Sequence, residues 1–158
     1  MEEENKMWIF TKYGFYSVVC ASEYKGKGKN ARKVILKDTL MIRARQREHL
    51  VALVTKFCKV HPAINESSIT ETDNTDYRFR MIVTKSLWTS IMIELVEDID
   101  YGNFKSEVAT IPANRKSGYE RALHDVWDVM FHLQHRVADL STKRKAFYRG
   151  GFLVGTED

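Results

Sequence analysis

Two short segments of this chain alternate strictly in character, and a two-residue period fits an extended strand with one buried face. In LMIRAR, Leu40, Ile42 and Ala44 fall on one side, with Met41, Arg43 and Arg45 on the other. In YRFRMIVT, Tyr77, Phe79, Met81 and Val83 fall on one side, with Arg78, Arg80 and Ile82 opposite. Each segment is therefore expected to be a strand whose apolar side lies against a core and whose other side carries arginine. Helices are needed to cover the apolar side.

The remaining pattern supplies them. Residues 7–20, MWIFTKYGFYSVVC, read as a hairpin turning at Lys12-Tyr13-Gly14, with alternation too weak for a strand solvated on one side. Leu50, Leu53, Val54 and Phe57 recur at helical spacing from near Arg47, and His61-Pro62 stops that helix. A polar loop over 61–75 follows. Ser86 is placed to cap a helix whose apolar stripe is Trp88, Ile91, Met92, Leu95 and Ile99, closed by Asp100-Tyr101-Gly102-Asn103. The longest helical period covers 119–140, through Tyr119, Ala122, Leu123, Val126, Trp127, Met130, Leu133 and Val137. Trp88, Ile91, Leu95, Leu123, Val126 and Trp127 are the expected helical contribution to the core. This order predicts an α+β two-layer sandwich, an antiparallel sheet with helices on one face, ferredoxin-like in spirit but not fixed in topology. One domain over 7–140 is expected, with a flexible basic insert at 22–37 and a basic tail at 141–158 that is open to a short strand at Phe152–Val154.

Composition excludes several classes. With 158 residues, 44% hydrophobic, and only 8 Gly and 2 Pro, the chain is long and apolar enough for one core and is neither disordered nor collagen-like. No apolar run approaches the roughly 18 residues of a membrane span, and the start MEEENK is acidic where a secretory signal is basic, so a cytoplasmic protein is expected. Cys20 and Cys58 lie in apolar segments, the usage of reduced, buried thiols. The net charge of +4 is unevenly spread. Residues 25–37 hold six basic residues and no acid, and 143–149 hold four more, leaving 15 basic against 21 acidic residues elsewhere. The basic character belongs to two appendages.

The segments MWIFTKYGFYSVV, LMIRAR, TDYRFRMIV, IDYGNFK and YERALHDVWDVMFHLQ together resemble a family of small, functionally uncharacterised bacterial proteins. Its members open with a tryptophan-phenylalanine strand and a GF-aromatic-SVV strand, and carry a DYxNFK turn before a YxxxxxxVW helix. The resemblance covers most of residues 7–135 and implies no activity or site that could be carried over. The acidic leader, the lysine-rich insert and the basic tail depart from the family pattern.

Three groups of residues could carry chemistry. Strand alternation puts Arg43 with Arg45, and Arg78 with Arg80, on one side of their strands. A shared buried face would make them one cationic surface able to grip phosphate or carboxylate in bidentate forks, beside an aromatic hairpin suited to stacking. Carboxylates across strands or subunits could equally neutralise them. His124, Asp128 and His132, with His135 beside them, fall at i, i+4 and i+8 on one helix face and could ligate a divalent metal, although a solvated helix face explains them as well. Lys25, Lys27, Lys29, Arg32 and Lys33 could contact a polyanion. Their GKGK run is not a phosphate loop, because Asn30 stands where that motif needs Ser or Thr. His49 and His61 are read as surface or capping residues. Glu97 with Asp98, and Asp73 with Asp76, give no acid-base geometry from adjacency alone.

No nucleophile signature is present, and the balance is against an enzyme. The expected function is a non-catalytic module binding a phosphate-bearing anion, a nucleotide or signalling nucleotide, on the arginine face of a homo-oligomer. The alternatives are a nucleic-acid binder using the lysine-rich segment and tail, and a metal-dependent enzyme on the long helix. No cofactor and no membrane partner are expected.

Overall fold

The computed structural model describes residues 7–150, with side chains described as far as Gln134. The expected strand at Phe152–Val154, the end of the basic tail and the His135 side chain lie outside the described residues. Five strands form one sheet, β1 (Met7–Thr11), β2 (Gly14–Lys25), β3 (Arg32–Ala44), β4 (Thr70–Glu71) and β5 (Phe79–Thr84). Their order is β1-β2-β3-β5-β4 and every neighbouring pair is antiparallel. Five helices accompany them, α1 (Arg47–Phe57), α2 (Lys85–Glu97), α3 (Phe104–Thr110), α4 (Pro112–Ser117) and α5 (Tyr119–Gly150). The result is an α+β sandwich, with elements ordered differently from a ferredoxin-like βαββαβ chain.

The expected alternation builds the core. Ile42 is registered with Val18 on one side and Met81 on the other, so β2, β3 and β5 turn their apolar residues to the same face. There Tyr16, Val18, Leu40, Ile42, Ala44, Met81 and Val83 meet Leu50, Leu53, Val54 and Phe57 of α1 and Trp88, Ile91 and Leu95 of α2. Thr84, not Ser86, caps α2, its side chain accepting from the Leu87 amide. A strand that runs straight into a helix leaves its last residue as the cap. Ile99 falls beyond α2 and is exposed.

Four expectations change. The lysine-rich segment is no loop: β2 and β3 remain paired out to Lys25 and Arg32, and only a 3-10 turn at Gly28–Asn30 joins them. Inter-strand hydrogen bonds carry this hairpin arm past the end of the core, with no apolar cover needed. Trp127 and Val126 are not core residues. They are 50% and 39% exposed, whereas Tyr119 and Leu123, on the first turns of α5, are buried. Tyr77 does not share the face of Met81 and Val83, since β5 begins only at Phe79. Cys20 and Cys58 are free thiols, half-buried and not fully enclosed.

Helices α3 and α4 gave no clear periodic signal. They lie at the β1–β2 turn, where Val108, Tyr119 and Leu123 form a second small cluster with Phe15 and Phe104. Asn114, buried, donates to the carbonyls of Lys12 and Val108 at 2.9 and 3.0 Å. Gly118, at φ 78°, turns α4 into α5 through a conformation that costs most residues about 1–2 kcal/mol. Among the described residues, no helix is long and apolar enough to cross a membrane.

Candidate ligand site on the arginine-bearing sheet face

Arg43 of β3 and Arg80 of β5 are registered partners, so their side chains rise side by side on the face away from α1 and α2. Arg43 donates from Nη2 to the buried Ser17 hydroxyl at 2.8 Å, and its guanidinium sits 4.7 Å from the centre of the Tyr77 ring. Arg80 donates from Nη2 to Thr75 Oγ1 at 3.0 Å and to the Tyr77 carbonyl at 2.9 Å. Neither arginine has an ion-paired carboxylate among the described residues. Each also has a buried Nε without a hydrogen-bond partner. Two adjacent like charges held only by neutral oxygens and a ring leave positive potential on this face.

Tyr77 reaches them because it belongs to a turn and not to the strand. The Thr72 amide donates to the Arg78 carbonyl at 2.8 Å, continuing the β4–β5 pairing, and the chain reverses through Asn74 at φ 58°. Asn tolerates that left-handed conformation better than most residues. Freed from the pleat, Tyr77 packs on the opposite face, 6.4 Å from the Phe15 ring and beneath Arg45, whose guanidinium lies 4.9 Å from its centre.

The expected quartet is thereby divided. Arg43, Arg45 and Arg80 converge on Tyr77. Arg78 turns away to ion-pair with Glu71 and with Asp73, the latter at 3.1 Å. Arg45 also pairs with Asp76 at 2.9 Å. These exposed pairs contribute at most about 1 kcal/mol each, so Arg45 can exchange its partner for a ligand at small cost. Lys25, Lys27, Lys29, Arg32 and Lys33 are exposed on the hairpin arm, and Lys25 pairs with Glu23 at 3.0 Å. Arg32 precedes Arg43 by eleven positions on one strand, about 36 Å at the strand rise, so the arm and the arginine face are separate surfaces.

Beside Tyr77 the sheet face opens into a cleft of about 340 Å³. Trp8, Phe10, Phe15 and Tyr119 wall it, and Arg45, Gln46 and His49 also line it. Phe10 stacks on Phe15 at 4.7 Å, and Trp8 meets Phe15 edge-on at 5.8 Å. His49 is not a surface or capping residue. It is 6% exposed, and its ring occupies the space where Gly14 lacks a side chain: a Cβ there would stand 2.5 Å from His49 Cγ. Nδ1 accepts from the Phe15 amide at 3.4 Å, which leaves the proton on Nε2. That Nε2 is buried without a partner, as is Gln46 Oε1, while Gln46 Nε2 donates to the Ser117 carbonyl at 2.9 Å. Burial pushes the His49 pKa below 6.5, outweighing the upward pull of Glu48, so the ring is neutral at pH 7. A histidine just after a strand's arginine, on the first turn of a helix, was the one signal in the sequence, and periodicity could not tell which way it faced.

The other polar groups are structural. Asp98 receives Lys12 at 3.1 Å, Lys56 at 2.8 Å and the Tyr13 hydroxyl at 2.6 Å, clamping the β1–β2 turn to α1 and the end of α2. Partial burial raises its pKa, but these three hydrogen bonds prevail and hold it at about 2. His61 is tied to Glu94. On α5 only Asp128 and His132 approach, at 3.5 Å and well exposed. His124 does not complete a set with them, and among the described residues no group of three or more His, Cys, Asp or Glu could hold a metal ion.

Searches against protein-family models, curated proteins and solved structures find no match to this chain.

Proposed function

We propose that this protein is a non-catalytic binding module for a phosphate-bearing anion of nucleotide size, held on the arginine-bearing sheet face. The observation that carries the reading is the registered pair Arg43 and Arg80, set side by side with no ion-paired carboxylate among the described residues and next to Arg45 over Tyr77. Neutralising such a pair with phosphate replaces repulsion by charge-assisted hydrogen bonds, each contributing about 1.5–3 kcal/mol. Homo-oligomerisation remains part of the proposal. Its candidate surface is α5, where Trp127, Val129, Met130 and Leu133 are all exposed, more apolar area than a lone helix ordinarily leaves in water. The test is calorimetric titration of a panel of nucleoside mono-, di- and triphosphates and cyclic dinucleotides into wild type, Arg43→Ala and Arg80→Ala. Saturable one-site binding, weakened at least about tenfold in either variant, supports the reading. Equal affinity in all three proteins overturns it.

The basic hairpin arm favours a second reading, a nucleic-acid binder, because five cations project from it far from the core. Affinity that rises with oligonucleotide length and falls steeply with salt would favour the arm, and insensitivity to Arg43→Ala would exclude a shared site.

A further inference from the structure

We infer that the cleft beside Tyr77 is a binding pocket for a planar heteroaromatic ring, the nucleobase of the ligand whose phosphate the arginines hold. The inference rests on that phosphate reading and adds to it a second contact, with different chemistry and its own residues. The walls favour a ring: Trp8 stands 64% exposed at the rim, Phe10 and Phe15 stack behind it, and Tyr77 closes the side shared with the arginines. Stacking on such rings is favourable for any base, because every base has a π-face.

The surroundings favour a polar ring over an apolar plug. Arg45 lines the cleft and its guanidinium lies 4.9 Å from the centre of the Tyr77 ring, so a cation stands at the edge of the aromatic walls. A heteroaromatic ring can stack on that guanidinium or accept a hydrogen bond from it, whereas a lipid tail or aliphatic side chain would only strip it of water. Size agrees: about 340 Å³ lies near the lower end of the roughly 300–1,000 Å³ typical of small-molecule sites, room for one base and not a stacked strand. Arg45 and Tyr77 belong to both the cleft and the arginine cluster, so base and phosphate can be bridged by one ribose-sized spacer.

The experiment separates the two contacts. Adenosine, guanosine, cytidine and uridine probe the cleft without phosphate, pyrophosphate probes the arginines without a ring, and the matching nucleoside diphosphates probe both. The expected result is that at least one nucleoside binds wild type and that its diphosphate binds at least about tenfold tighter. Trp8→Ala and Phe10→Ala, on the exposed aromatic wall, should weaken the nucleoside about five- to tenfold and leave pyrophosphate unchanged, without disturbing the core. If pyrophosphate binds but no nucleoside does, and the diphosphates bind no tighter than pyrophosphate, the cleft inference is overturned while the arginine reading stands. If a nucleoside binds but its diphosphate binds no tighter, the arginine reading fails and the cleft stands. If none of these probes binds, both fail.

Discussion

Arg43 and Arg80 face each other across β3 and β5 as a registered pair, yet they are held in different ways. Arg43 leans on Ser17 and the Tyr77 ring, whereas Arg80 ties the 72–78 turn together through Thr75 and the Tyr77 carbonyl. The two residues should therefore differ in what they do for stability.

Arg43→Ala removes one hydrogen bond and relieves like-charge repulsion, so urea unfolding should place it within about 1 kcal/mol of wild type. Arg80→Ala removes two hydrogen bonds that fasten a turn and should cost about 1–2 kcal/mol. Equal losses would mean that the turn is held by something other than Arg80.

Tyr77 is buried, and its contribution should come from its ring, over which the Arg43 and Arg45 guanidiniums lie. Tyr77→Phe should keep stability within about 0.5 kcal/mol, while Tyr77→Ala should cost about 3 kcal/mol and weaken anion binding by freeing the two guanidiniums, of Arg43 and Arg45, that lie over the ring. Thermal unfolding of the two variants, with anion titration alongside, checks both parts.

The two tryptophans on helices should behave oppositely. Trp88 is 4% exposed within the core and Trp127 is 50% exposed on α5, near Lys105. Trp88→Ala should cost about 3–5 kcal/mol, and Trp127→Ala less than about 1 kcal/mol in the isolated chain. A large loss at Trp127 that depends on protein concentration would identify α5 as an oligomer contact.

Much of this was legible in the chain itself, and the exceptions have physical causes. The alternation of Leu40, Ile42 and Ala44, and of Met81 and Val83, located the core face because burial of one pleat face permits only one register. The same rule misplaced Tyr77, which lies two residues before the strand begins, where the pleat no longer dictates direction. Helical period correctly extended α5 past Trp127, but period reports an apolar stripe and not whether anything covers it. The lysine-rich arm reads as loop by composition, because its strands are stabilised by backbone pairing that side chains do not advertise. The cleft was invisible for a related reason: Trp8, His49, Tyr77 and Tyr119 are distant in sequence, and only the meeting of β1, α1 and α5 assembles them.

His49 supplies a pH signature. Its folded pKa is depressed by burial, so its contribution to stability is complete above about pH 6.5 and is lost as pH falls toward the folded value, where the unfolded chain takes up a proton that the folded one refuses. Glu48 partly offsets this, and Tyr119 packs on the ring without a charge at these pH values. Between pH 7 and 5, stability of wild type should fall with a slope of up to about 1.4 kcal/mol per pH unit from this one group. That slope should be absent in His49→Asn, and identical slopes would show that His49 is accessible to protons when folded. Asp98, held at about 2, acts with the same sign in a separate window below about pH 4.

The central claim is that Arg43 and Arg80 hold one phosphate together, and a double-mutant cycle on pyrophosphate binding tests it most directly. Affinities are measured by calorimetry for wild type, Arg43→Ala, Arg80→Ala and the double variant at one fixed salt concentration. Two arginines gripping the same group should couple by at least about 1 kcal/mol, so that the double variant loses clearly less than the sum of the single losses. Additivity within about 0.5 kcal/mol, or pyrophosphate binding that survives the double substitution, would contradict a shared phosphate site.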